Sequence, residues 1–221
     1  MNRRWVLAGL SALGGCSMLP NVPYEPRREW PLTLDRPSVL PPDTGGPVLL
    51  VRMMAAAPGL EARGLQWLRP DGSVHVDFYE QWAVPPAQAV EAALRQWLAN
   101  SGRFAAVVGP GSRMPATLVL EPELTTLIAD PQRHVARAAV ALVLLGRRHD
   151  RDSVLLQQTI AAEAPLAETP LAETGVPAMV AAMRSALLRV LTETEKALGP
   201  HSIAARREST RTERGPGGDG K

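Results

Sequence analysis

The sequence predicts an α+β domain in which an antiparallel sheet of five or six strands packs against two amphipathic helices. Apolar residues recur at helical spacing in two places, from Pro85 onward and over about 176–198. Short runs rich in Val, Ile and Leu lie around them, separated by Gly, Pro and Asp turn signals. Consecutive strands joined by short polar turns favour antiparallel pairing.

The first predicted elements are a strand and a hairpin. The run VLLVRM at 48–53 is short and apolar, which is typical of a buried strand. The segment PDGS at 70–73 separates strand-like runs at 65–69 and 74–79, and Asp-Gly in such a position is a strong hairpin signal. The domain therefore begins with β structure.

The first helix is predicted over 85–101. Proline is tolerated in a first turn, and apolar residues within 90–98 fall on one face. Glu91 and Arg95 form a predicted exposed i,i+4 pair on the other face. The Asn-Ser-Gly sequence that ends at Gly102 is a typical helix stop.

Four more strands are predicted before the second helix, at 104–108, 117–128, 134–145 and 153–162. Pro122 interrupts the second of these strands, which indicates an edge strand or a bulge because proline has no backbone N–H to donate.

The domain is predicted to span 48–200, with non-globular segments on both sides. The second helix ends at Gly199–Pro200, and the polar segment 201–221 is predicted to be a disordered tail. Residues 16–47 are rich in proline and predict an extended tether, with a reach of about 3.1 Å per residue.

A targeting signal precedes the tether. Residues 1–15 combine two arginines, a short apolar run and two glycines, as in a secretory signal peptide. The run is shorter than the roughly 20 residues that cross a bilayer. Leu13, Gly14, Gly15 and Cys16 resemble the bacterial lipobox, which implies that Cys16 receives a diacylglycerol and becomes the mature N-terminus. An anchor of two or more acyl chains is stable in a membrane.

Two alternatives for this segment remain open. It could be an ordinary signal peptide with a chance cysteine, or Arg3 and Arg4 could belong to a twin-arginine signal. A lone unlipidated thiol would be a liability in an oxidising periplasm, which favours lipidation. Ser17 in place of an aspartate is compatible with transport of the lipoprotein to the outer membrane, a further implication of the resemblance.

Composition and motifs predict a protein that is not an enzyme. The chain has 24 basic and 22 acidic residues, and loss of Arg3 and Arg4 leaves it near neutral, without a nucleic-acid-binding footprint. There is no P-loop, GxSxG, HExxH or cysteine pair, so no metal or cofactor is predicted. The four histidines are far apart in the sequence: His75, His134, His149 and His201.

One acidic pair could imitate a catalytic site. Glu121 and Glu123 fall on the same face of a predicted strand. A solvated strand face explains them more simply than acid–base catalysis.

Phe78, Tyr79 and Trp82 cluster after the hairpin. The candidate contact patch consists of Trp67, Tyr79 and Trp82. Core packing is the alternative, and we expect it for Trp82, which directly precedes the first helix. Trp67 shares a strand face with Arg69 and is the better candidate for an interface.

The order of motifs resembles a known family, the auxiliary lipoprotein component of ABC-type transport systems, in its PqiC-like group. Besides the lipobox, the resemblance is carried by APGLEARGLQW at 57–67, VDFYEQWAVPP at 76–86, SGRFAAVV at 101–108 and HVARAAVAL at 134–142. It covers about 48–198. The duplicated PLAET sequence at 165–174 and the long polar tail depart from the family pattern.

The resemblance implies an outer-membrane protein that works with an ABC transporter, its permease and ATPase, and a substrate-binding protein with an MCE domain. Such a system moves lipids between the two membranes, and the lipoprotein would dock or receive. A lipid-anchored periplasmic hydrolase and a structural or assembly lipoprotein remain the alternatives.

Overall fold

One sheet and two helices form the part of the chain that the computed structural model describes, residues 24–148, 151–166 and 171–213. The helices are α1 (Pro86–Ala99) and α2 (Leu171–Glu213). The nine strands of the described residues are β1 (Arg28–Trp30), β2 (Val48–Val51), β3 (Ala55–Ala56), β4 (Gly64–Leu68), β5 (Val74–Trp82), β6 (Ala106–Val108), β7 (Leu118–Asp130), β8 (Val135–Arg148) and β9 (Arg151–Pro165).

Strand β7 is the centre of the sheet. One of its edges pairs with β8 along its length, and β8 pairs in turn with β9, both antiparallel. Its other edge meets β2, β3 and β4 in succession, all parallel. Beyond these strands, β6 lies parallel to β2, β5 lies antiparallel to β4, and β1 lies parallel to β5.

The predicted α+β class is therefore confirmed, but the prediction of a purely antiparallel sheet of five or six strands was wrong. The sheet is mixed and has nine strands among the described residues. The hairpins β4–β5, β7–β8 and β8–β9 follow from local turns and were predicted. The parallel pairs join distant segments, as when Trp67 lies beside Ala129, and no local pattern indicates them.

Both helices cover the same face of the sheet. On β8, alternate residues from Ala136 to Leu144 point into the core, as the two-residue period of a strand requires. Val90 and Leu94 of α1 and Met183 of α2 are buried against this face. The opposite face of the sheet carries no helix within the described residues.

Helix α2 continues through Gly199 and Pro200, contrary to the predicted stop. Ser202 is buried, and Arg206 pairs with Asp43 at 2.7 Å, so residues beyond Pro200 pack on the domain. The prediction of a disordered tail was thus wrong for 201–213, while 214–221 lie outside the described residues.

Over Gly175–Glu208, α2 is long and apolar enough to span a membrane by length and composition, and half of its apolar stretch of 18 residues is buried inside the domain. Its apolar stripe packs on the sheet, as in a core helix of a globular domain.

Part of the predicted tether also belongs to the domain. Leu32 and Leu34 lie in the core, and β1 pairs with the end of β5. The Leu40 N–H donates a 3.0 Å hydrogen bond to the carbonyl of Asn100 at the end of α1. The segment from β1 onward is therefore packed, and a free tether can extend only over residues that precede it.

Two local predictions need correction. The pair of Glu91 and Arg95 exists at 3.4 Å, but Glu91 is buried because its carboxylate accepts the Met54 N–H at 2.8 Å. Pro122 lies in the central strand β7 rather than at an edge, but a bulge exists close by, as a register shift of β7 against β8 between Leu124 and Thr126. Pro122 lies opposite the break between β2 and β3, where a strand proline without an N–H is tolerated.

Candidate functional site

The structure separates the three residues of the predicted contact patch. Trp82 is 2% exposed and belongs to the core, as expected. Trp67 is half-buried against the core and its ring lies tilted against that of His75, with centroids 4.1 Å apart, so its role as an interface residue stays a prediction. Tyr79 is 40% exposed. The predicted lipobox and Cys16 lie outside the described residues.

Tyr79 belongs to a large bulge in β5. Gln66 of β4 lies opposite Val76, whereas Gly64 lies opposite Gln81, so two steps along β4 match five along β5. Residues 77–80 thus lie opposite Leu65 alone, so β5 has three more residues than β4 here and bulges away from it. A bulge of this kind redirects side chains away from the alternation of a strand.

Two residues make the bulge possible. The carboxylate of Asp77 accepts the N–H groups of Tyr79 at 2.7 Å and Glu80 at 2.9 Å, and so replaces lost ladder partners. Gly64 provides the space, because a Cβ there would lie 2.5 Å from the Asp77 carbonyl oxygen. The bulge is thus encoded by an acidic residue on one strand and a glycine on its neighbour.

Glu80 fixes the inner side of the bulge. Its side chain is buried, accepts a 2.7 Å hydrogen bond from the Trp30 indole N–H and pairs with Arg28. Buried carboxylates need such partners, since an unpaired charge is costly away from water. This contact ties β1 to the bulge, while the two preceding side chains, Phe78 and Tyr79, stay outside.

Phe78 and Tyr79 project outward from the bulge, and their rings meet edge to face at 5.2 Å. Phe78 is 58% exposed, and the guanidinium of Arg27 lies 4.0 Å from the centre of its ring, a cation–π contact. Tyr24 is 89% exposed. We call Tyr24, Arg27, Phe78 and Tyr79 the aromatic surface.

The aromatic surface borders a groove of about 490 Å³, to which Glu25 and Pro26 also contribute. The sequence pattern indicated the aromatics at 78–79. It did not indicate Tyr24 and Arg27, because the proline-rich composition of 16–47 suggested a tether without contacts.

The acidic pair on β7 shares one sheet face, as predicted. This is the face without helices, where Glu121 forms a 3.2 Å ion pair with Arg52. A second groove, of about 390 Å³, lies nearby and is lined by Leu50, Arg52, Met53, Pro110, Gly111 and Ser112. The ion pair with Arg52 gives Glu121 a structural partner on this solvent-facing side of the sheet.

Within the described residues, no three His, Cys, Asp or Glu side chains converge as metal ligands would. His75 contacts Arg69 and Trp67, and His134 occupies a turn with φ of 52°. His201 lies in α2, and His149 lies outside the described residues.

Solved structures place this chain in an established α+β fold class. A Xanthomonas campestris protein of the DUF330 family matches 83% of this chain and 99% of its own, at 20% identity and a TM-score of 0.62. An uncharacterized protein matches 73% of this chain and 95% of its own, at 12% identity and a TM-score of 0.55. At these identities the likeness concerns the fold alone. No match is found among curated proteins.

The family itself is identified from the sequence match. Residues 32–194 match the family described as ABC-type transport auxiliary lipoprotein component, so the chain belongs to that family. The match begins at Leu32, the first core residue of the segment before β2, and ends within α2. It therefore covers β2 to β9, α1 and the first part of α2. The resemblance predicted from the motifs is confirmed.

Proposed function

We propose that this chain is the outer-membrane auxiliary lipoprotein of an ABC-type system that moves lipids between membranes. The family match over 32–194 carries the proposal, because it associates the chain with a transport system and with lipoproteins. The lipid cargo, the outer-membrane location and a partner with an MCE domain are the finer parts of the proposal.

Cys16 supplies the anchor in this proposal. The residues before it resemble a lipobox, and family membership supports the lipoprotein assignment independently of that motif. Ser17 supports sorting to the outer membrane. The folded domain would then lie in the periplasm, within reach of components that extend from the inner membrane.

The proposed role is docking or receiving, without covalent chemistry. Partner contact needs exposed apolar side chains, and among the described residues the groove beside the exposed Met53 provides such a surface. Glu121 and Glu123 are the pair in the sequence that most resembles catalytic carboxylates, and Glu121 forms an ion pair with Arg52. These features support an adaptor more than a hydrolase.

Capture of the partner tests the transport role. The chain carrying a C-terminal tag would be isolated from membranes in mild detergent, and associated proteins would be identified by mass spectrometry. We expect the MCE-domain protein, the permease and the ATPase of one transporter. An unrelated tagged lipoprotein at equal abundance is the control, and equal capture by both would refute the proposal.

A hydrolase role makes a different prediction. The double variant Glu121→Gln and Glu123→Gln removes the acidic pair at half-exposed positions, so the domain should still fold. We expect it to complement a deletion strain as the native chain does. Loss of complementation with unchanged melting would instead favour the hydrolase, and complementation without any captured transporter would favour a structural lipoprotein.

A further inference from the structure

We propose that the aromatic surface lies against the membrane that holds the lipid anchor, with Phe78, Tyr79 and Tyr24 at the depth of the phospholipid headgroups. The inference rests on the lipid anchor of the proposed function. It adds an orientation of the domain and a second, non-covalent contact with the bilayer.

The length of the free chain is the first argument. Because the segment from β1 onward is packed, the tether cannot extend over the whole of 16–47. Seven residues lie between Cys16 and Tyr24, so the two are eight Cα–Cα steps apart. However they are arranged, they span at most about 28 Å, at 3.3–3.6 Å per residue.

That length is short compared with the domain. A domain of this size has a radius of gyration of about 16 Å, which corresponds to a diameter of roughly 40 Å. The anchor therefore cannot swing the domain freely, and the side at which the chain leaves must stay near the membrane. Tyr24 marks that side and is almost fully exposed.

The chemistry of this side fits the membrane interface. Tyrosine is enriched at the headgroup level of bilayers, where an apolar ring and a polar hydroxyl are both satisfied. Phe78 supplies an exposed apolar ring, and Val76 on the same strand is 49% exposed. Arg27 stacks on Phe78 and can reach lipid phosphates, since arginine places its apolar stem along apolar surface and its charge in water.

The bulge explains why these rings are available. Glu80, Trp30 and Asp77 hold the backbone of the bulge from the inner side, so Phe78 and Tyr79 are presented by a fixed scaffold. Membrane contact would bury rings that are otherwise exposed to water.

A fluorescent label at one position tests this orientation. Cys16 is the only cysteine, and lipidation consumes its thiol, so an introduced cysteine can be labelled alone. The mature lipidated chains Phe78→Cys and Val154→Cys would be reconstituted in phosphatidylethanolamine and phosphatidylglycerol vesicles that contain lipids brominated near the headgroup. Bromine quenches only nearby fluorophores.

Val154 is a matched control. It is 61% exposed, close to the 58% of Phe78, but it lies on β9, at the edge of the sheet opposite β1 and β5. Four strand spacings of about 4.8 Å separate β5 from β9. We expect severalfold stronger quenching at position 78 than at 154, and a severalfold loss of that quenching when Tyr79→Asp is added.

Equal quenching at the two positions would overturn the proposal. Protection of the label at 78 by the captured MCE-domain protein, without quenching by lipid, would also overturn it and assign the surface to a protein partner. Chains that fail to float with the vesicles would show that the anchor is absent. The isolation of partners in detergent, described above, does not need a bilayer. It therefore tests the transport role independently of the membrane contact.

Discussion

Trp97 and Glu195 are separated by 98 residues and meet between the two helices, where the indole N–H donates a 2.8 Å hydrogen bond to the carboxylate. Arg36 donates to the same carboxylate at 3.0 and 3.2 Å, and Arg103 donates at 3.4 Å. One carboxylate therefore joins the segment before β2, helix α1 and the residues after α1 to helix α2.

Replacement Glu195→Ala should lower the free energy of unfolding by about 2 kcal/mol, because it leaves several largely buried donors without an acceptor. The side chain of Arg36 is only 12% exposed, so water restores little of the loss. Urea denaturation would measure the change. Glu193→Ala is the control, since Glu193 is exposed and pairs only with Lys196, and a shift below about 0.5 kcal/mol is expected. Equal effects of the two variants would contradict the proposed junction.

The junction should also weaken in acid. Burial raises the pKa of Glu195, but hydrogen bonds from Arg36 and Trp97 and the charge of Arg36 outweigh it, so the pKa lies below the ordinary 4.5. A lowered pKa contributes stability above the unfolded value, and this stability is lost as the pH falls through the folded value. The difference in unfolding free energy between the native chain and Glu195→Gln should therefore shrink below pH 4.5. If the difference in unfolding free energy between the native chain and Glu195→Gln did not depend on pH, the lowered pKa of Glu195 would be refuted. The same pH series on Glu193→Gln serves as the reference.

Gly64→Ala should disturb the bulge. The added Cβ would approach the Asp77 carbonyl oxygen to 2.5 Å and a Val76 methyl to 2.7 Å, so the backbone must move. We expect a loss of about 1–3 kcal/mol of stability, the usual cost of overpacking. Gly45→Ala is a suitable control because its Cβ would meet only the Arg206 guanidinium, at 3.5 Å. The melting temperatures of both variants would be compared with that of the native chain. An unchanged melting temperature for Gly64→Ala would show that the bulge accommodates a Cβ without strain.

Two truncations of different length should have different effects on stability, because only the longer one removes the packed end of α2. Removing 202–221 deletes the buried Ser202 and the Arg206 pair with Asp43. A loss of about 1 kcal/mol or more would lower the melting temperature by at least 2–4 °C in a domain of this size. Removal of 214–221 alone should leave it unchanged, since that segment is polar. Identical melting of both truncations would mean that 202–213 contribute nothing.

Cys16→Ala should abolish lipidation and cleavage before residue 16. Mass spectrometry of the mature N-terminus would show a diacylglyceryl cysteine in the native chain and none in the variant. Ser17→Asp is the matched control, because it should keep the lipid and change only the membrane in which the protein is found. A native N-terminus that starts beyond residue 16 without a lipid would contradict the anchor.

The local features of this fold were accessible from the sequence. The hairpin around 70–73, helix α1 and the long strands β7 to β9 each arise from a periodicity or turn within about a dozen residues. The position of the aromatics at 78–79 was visible in the same way. The burial of Trp82 followed from its place directly before α1.

Other features depend on contacts between distant segments. The parallel edge of β7 is built from β2, β3 and β4, which lie far before it in the chain and carry no local mark of their partner. Helix α2 continues past Pro200, where Ser202 is buried on the domain and Arg206 pairs with Asp43, and this tertiary packing outweighs the local cost of the proline.

By itself the sequence determined the α+β class, most of the elements and the family pattern, since these depend on short-range periodicity and on motifs. Only the tertiary structure decided that the segment from β1 onward is packed, that Tyr24 and Arg27 join Phe78, and that Trp67 turns toward the core. The reason is physical. Burial and charge pairing are properties of residues brought together in space, and chain segments such as β1 and β5 acquire them only when they pair.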